Sequence, residues 1–154
     1  MLRTAVIGTA VALAAVAFGL AGLEKGDNEL PLLSSAEVAR EANAICERFE
    51  LETRDVVDPG PAGLPATAAY LDKIIPSMAA TLDEFHDLRP RPSVQRDVKS
   101  LVMRYEALLR VTLRMRDAAR ASDFGEFTEP YRRAITLSYE TSSQASRLGW
   151  TSCA

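Results

Sequence analysis

The chain has 154 residues, of which 47% are hydrophobic and 25% charged, with a formal net charge of -3, one His and two Cys. Setting aside an apolar leader of about 23 residues leaves roughly 130, the size of one domain around one core. A 6% aromatic content with 8 Gly and 8 Pro excludes a propeller, a collagen-like rod and a disordered chain, and 15 Arg against 3 Lys reflects a GC-rich coding sequence more than ligand chemistry.

From Ala5 to Leu23, nineteen consecutive residues carry no charge, and Arg3 precedes them. As a helix rising about 1.5 Å per residue this run reaches roughly 28 Å, near the hydrocarbon thickness of a bilayer at about 30 Å. Two readings are open for residues 1-23. The length of the run favours an uncleaved single transmembrane anchor, whereas Ala15-Val16-Ala17 or Gly19-Leu20-Ala21 would serve as the cleavage site of a signal peptide. A core helix of a cytosolic protein is disfavoured, because such helices are seldom apolar on every side. Glu24, Lys25, Asp27 and Glu29 follow with a net charge of -2. The positive-inside rule then puts the amino terminus in the cytoplasm and the remainder outside. The expected location is the cell membrane, single-pass through residues 5-23 with the C-terminal domain outside, or the exterior after cleavage. No Cys stands near the end of this run, so lipid attachment there is excluded.

Residues 24-33 read as a linker, and residues 34-154 read as a four-helix domain. Ser34 with Glu37 forms a capping box flanked by the apolar pair Leu33 and Val38, and Val38, Ala42, Ile45, Phe49 and Val56 follow at helical steps for a first helix over about 35–56. Three prolines and two glycines between Asp58 and Pro65 end it. A second helix, about 66–88, carries Leu71, Ile74, Ile75, Met78, Leu82, Phe85 and Leu88, with Pro76 predicting a kink or a break into two shorter helices. Past Arg89-Pro90-Arg91-Pro92, Ser93 is placed to cap a third helix, about 94–121. Its stripe is Val94, Val98, Leu101, Tyr105, Leu108, Thr112, Met115 and Ala119. Asp123 with Glu126 offers another cap for a fourth helix, about 124–148, on the weaker stripe Phe127, Tyr131, Ala134, Ile135, Leu137, Ala145 and Leu148. Gly149 suits a left-handed C-terminal cap, with Trp150 folding back on the last turn.

No segment alternates with the period of a strand, so the expected fold class is all-α, an antiparallel up-down four-helix bundle preceded by an N-terminal hydrophobic helix. Charge agrees with this order of neighbours: residues 89–120 carry a net +6, between residues 34–58 at -4 and residues 66–88 at -3.

Cys46 lies beside the apolar stripe of the first helix and Cys153 follows the fourth. In an oxidising compartment the pair reads as one disulfide, with two free thiols or an intermolecular bridge as the alternatives; no Cys or His stands at ligand spacing for a metal. Cys46 stands roughly 16 Å along its helix, so the residues after Gly149 must double back to reach it. Closing so long a loop contributes about 4 to 5 kcal/mol in the chain-entropy account.

Ala42-Asn43-Ala44-Ile45-Cys46, the run from Leu82 to Pro92, and Leu148-Gly149 followed by Cys153 resemble small exported actinobacterial helical-bundle proteins of unassigned function. The resemblance covers most of the chain beyond the leader. It implies an envelope or extracellular bundle with one disulfide and carries over no catalytic residue; several such proteins are attached through a leader Cys, which this chain lacks.

His86 is the only histidine and reads as a surface residue at a helix end. Met78, Met103 and Met115 with His86 suggest a haem or copper site, but no Cys-x-x-Cys-His is present and core packing accounts for Met78 and Met115. Arg96, Lys99, Arg110 and Arg114 project from the side of the third helix opposite its stripe, either as a solvated face or as a contact for an acidic protein or anionic lipid; nucleic acid is disfavoured, since no aromatics interleave. Glycine-rich phosphate loops, nucleophile elbows and paired-His motifs are missing. The expectation is therefore a non-enzymatic envelope protein with an interaction or structural role and no cofactor. The alternative is a carrier of a small apolar ligand or lipid, which calls for a cavity of at least about 300 Å³ between the helices.

Overall fold

The computed structural model describes residues 31–154, so the anchor or signal reading of residues 1-23 and all but the end of the 24-33 linker lie outside the described residues. Four helices follow in order: α1 Ser35–Thr53, α2 Leu64–Asp87, α3 Pro92–Arg120 and α4 Phe124–Arg147, with a short 3₁₀ turn at Thr151–Cys153. Among the described residues there is no strand, only an isolated parallel bridge between Leu33 and Pro90. None of these helices is long and apolar enough to cross a membrane.

The start of α1 is the capping box read from the sequence. Ser34 Oγ accepts from the Glu37 amide at 3.4 Å while the Ser34 amide donates to Glu37 Oε2 at 2.7 Å. These Ser34 hydrogen bonds, helped by Arg91 and Arg40, hold the Glu37 carboxyl below its ordinary 4.5. The residues ahead of the cap are tied to the α2–α3 connection, where Leu33 N donates to Arg89 O at 2.8 Å and Arg91 N to Leu33 O at 2.9 Å.

α1 ends at Thr53 rather than about 56, and two helix starts and the run through Pro76 also differ from expectation. α2 begins at Leu64 because Pro65, in the first turn, forgoes only an amide that has no partner there. Pro92 does the same for α3, so Arg91 is the N-cap residue and Ser93 lies inside the first turn. α2 runs unbroken through Pro76, which is exposed, as is Asp72, the residue whose carbonyl loses its donor, so the lost bond falls on the solvent side of the helix.

α3 packs against both α2 and α4, and α1 packs against α2 and the 3₁₀ turn. Directions follow from two contacts: Arg120 Nη2 at the end of α3 reaches Asp72 Oδ1 near the start of α2 at 2.6 Å, and Gln144 near the end of α4 donates to Asp97 O near the start of α3 at 3.3 Å. The basic α3 thus lies beside the acidic α2 and the charge-balanced α4 rather than between two acidic helices, and Arg104 is paired to Glu140 of α4. These pairs are partly exposed and each contributes only about 0.2 to 1 kcal/mol.

The core is in two clusters. One joins Val38, Ala42, Ile45 and Cys46 of α1 to Phe85, Val98, Leu101, Val102, Ala145 and Trp150; the other, at the far end, joins Leu71, Ile75 and Met115 with Phe127 and Ala134 packed against it. α1 contributes to the first alone. The α4 stripe is correspondingly different from the expected one: Pro130, Leu137, Thr141 and Ala145 are buried, whereas Tyr131 and Ile135 are 48% and 54% exposed.

Past α4 the chain turns as the sequence implies. Gly149 takes φ 77°, its amide bonds Ser146 O at 3.1 Å and the Trp150 amide bonds Ala145 O at 2.9 Å, a Schellman motif that returns Trp150 to the core at 1% exposure. An alanine Cβ at 149 has room, its nearest neighbour being Ala39 Cβ at 3.6 Å, so Gly149→Ala is expected to cost about 1 to 2 kcal/mol from the left-handed backbone alone. Trp150→Ala, which empties a core position, is expected to cost about 3 to 5 kcal/mol, and urea unfolding of the oxidised variants measures both.

Candidate functional site

An apolar cleft opens where α1 leaves α2 and α3. Cys46, Phe49 and Glu50 of α1 form one wall, Met78, Thr81, Leu82 and Phe85 of α2 a second, and Tyr105, Leu108 and Leu109 of α3 the floor. The fourth wall is Ser152–Ala154, and the enclosed volume is about 270 Å³. That is just under the about 300 Å³ at which small-molecule sites begin, so the space suits a small body.

The fourth wall exists because the segment after α4 is fastened to α1. Cys46 and Cys153 are joined by a disulfide with Cα atoms 5.3 Å apart, as read from the sequence. Asn43, one turn before Cys46, holds the same segment at two points: its Nδ2 donates to Gly149 O at 3.1 Å and its Oδ1 accepts from the Ser152 amide at 2.9 Å. Ser152 Oγ lies 3.1 Å from Glu47 Oε1. Beneath, the Phe85 ring sits 5.0 Å from the Tyr105 ring and 5.2 Å from that of Trp150, so one aromatic row supports both floor and tail.

Tyr105 OH donates to Cys153 O at 3.3 Å, and burial pushes its phenol up to about 12. Glu50 is the charged side chain of the lining and stands exposed on α1. The cleft therefore offers apolar contact, a carboxylate at the edge and a phenol committed to the backbone.

The remaining sequence candidates are not gathered here. Arg96 and Lys99 share an open groove between α3 and α4 with Arg104 and Arg133. Arg110 is paired with Glu106, and Arg114 lies beside Asp117, Glu126 and Glu129, so the four cations expected to act together are split over three surroundings. His86 is exposed at the end of α2 with Nε2 3.1 Å from Glu106 Oε1. It shares a shallow depression with Met103, while Met78 lines the cleft and Met115 sits in the far core cluster. Among the described residues no group of three or more His, Cys, Asp or Glu is placed to hold a metal.

Asn43 and Glu50 were not singled out by sequence reasoning. Asn43 did leave a signal, since an asparagine in mid-helix is unfavourable unless its amide finds partners elsewhere. No known protein family, curated protein or solved structure matches this chain.

The Tyr105 phenol sets an alkaline limit. Its folded value lies above the ordinary 10.0, so its contribution to stability is complete below pH 10 and is lost as pH rises toward about 12. Phenolate absorbance is expected to show a late-ionising tyrosine that disappears in Tyr105→Phe, and superimposable titrations of the two proteins would contradict this.

Proposed function

We propose that the protein is an exported, membrane-tethered helical-bundle protein of the cell envelope with an interaction role rather than a catalytic one. In this reading the helices form an antiparallel up-down four-helix bundle carried outside the membrane behind a hydrophobic helix over residues 5-23. The resemblance to exported actinobacterial bundles and the Cys46–Cys153 disulfide, a bond that persists in oxidising compartments, support that location.

The interaction role is carried by one observation. Tyr131, Ile135 and Tyr139 recur at four-residue steps on α4 and are 48%, 54% and 78% exposed, and the Phe127 ring, packed on the far core cluster, stacks on Tyr131 at 5.7 Å. Among the described residues nothing covers these side chains fully, so this face of α4 presents them to solvent. The fitting occupant is the apolar face of a partner's amphipathic helix.

Cross-linking of the full chain in its own envelope is expected to capture a protein that Ile135→Asp no longer captures. Because Ile135 is exposed, the melting temperature of the variant should stay close to that of the parent. Capture of the same protein by Ile135→Asp would contradict the assignment. A C-terminal alkaline phosphatase fusion is expected to be active, and an inactive, stably produced fusion would contradict export.

A second reading, carriage of a small apolar ligand, rests on the 270 Å³ cleft, which is just under the about 300 Å³ that this reading calls for. An anionic contact, as proposed from the sequence, is supported for Arg96 and Lys99, which Arg133 joins in their groove.

A further inference from the structure

The cleft constrains its occupant in size and in charge. An apolar cavity of about 150 Å³ accepts benzene, so in proportion 270 Å³ takes about eleven non-hydrogen atoms. Phe49, Met78, Leu82, Phe85 and Leu108 supply an apolar interior. Glu50 supplies a carboxylate at the edge, and no basic side chain lines the cleft. The nearest basic neighbour in sequence, Arg48, is turned to Glu84 of α2 and paired there. Residues 34–58, the wall that carries Glu50, have a net charge of -4, whereas the floor helix, residues 89–120, has +6, so the preference for a cation rests on Glu50 itself.

We propose that this cleft is a binding site for a small cationic amphiphile, an aryl or short alkyl chain bearing an ammonium group. The apolar part lies against Met78, Leu82 and Leu108, and the ammonium group meets Glu50. An anionic head group of the same size would bring two like charges together with no cation to offset them. This assignment rests on the ligand-carrying reading and adds the chemical class to it. It is independent of the α4 face, which lies on another helix.

The test uses the full chain in lipid nanodiscs with methyl-labelled methionine, and three water-soluble probes of matched size: 2-phenylethylammonium, 2-phenylethanol and phenylacetate. The Met78 methyl resonance, assigned with Met78→Leu, reports occupancy. 2-Phenylethylammonium is expected to shift it saturably, with phenylacetate weaker by about tenfold or more, and Glu50→Gln is expected to weaken the ammonium by about fivefold while leaving 2-phenylethanol unchanged. If the alcohol binds but the ammonium and carboxylate bind equally, or Glu50→Gln leaves their ratio intact, the cationic class is overturned and the apolar cleft stands. If none of the three shifts the Met78 resonance at millimolar concentration, both the class and the ligand-carrying reading fall.

Discussion

The fastening of the segment after α4 to α1 is the constraint on which the rest of this structure depends. The Cys46–Cys153 disulfide, the two-point grip of Asn43 and the burial of Trp150 all act on the same seven residues. Without them α1 has few partners, because it packs on α2 and on the 3₁₀ turn while α3 takes α2 and α4. The bond does more than shorten an unfolded loop: it holds in place the chain that covers the open flank of the shortest of the four helices.

The two proposed sites lie in different parts of the bundle. Where α1 and the fastened segment meet α2 and α3, the core is closed except for a small apolar cleft with Glu50 at its edge. Where α1 is absent, three helices enclose Leu71, Ile75 and Met115, and α4 shows Tyr131, Ile135 and Tyr139 to solvent.

Much of this was legible in the residue order. The apolar steps of α3, the Ser34–Glu37 cap and the glycine at 149 are local signals, each arising within a few residues of the structure it specifies. The disulfide was legible because the sequence holds two cysteines, which allow a single internal pairing. What escaped was information that depends on the neighbour rather than the element. Periodicity placed Tyr131 and Ile135 on the stripe of α4 but says nothing about whether another helix lies opposite, and among the described residues both side chains are exposed. Asn43 and Ser152 are 109 residues apart, so no local pattern links them. Of the kink or break expected at Pro76 the break did not occur, and Pro92 was read as ending an element where it begins α3, since in a first turn its lost amide had no partner to lose.

The most direct test of the central constraint is the stability of the oxidised and the reduced protein side by side, followed by urea unfolding of the full chain. Trp150 is the single tryptophan, so its fluorescence reports the fastened segment itself. Reduction is expected to lower unfolding free energy by about 4 to 5 kcal/mol and to move the Trp150 transition to lower urea. Coincident transitions in the two states, with Trp150 equally protected, would show that the bridge is incidental and that α1 holds its place without it.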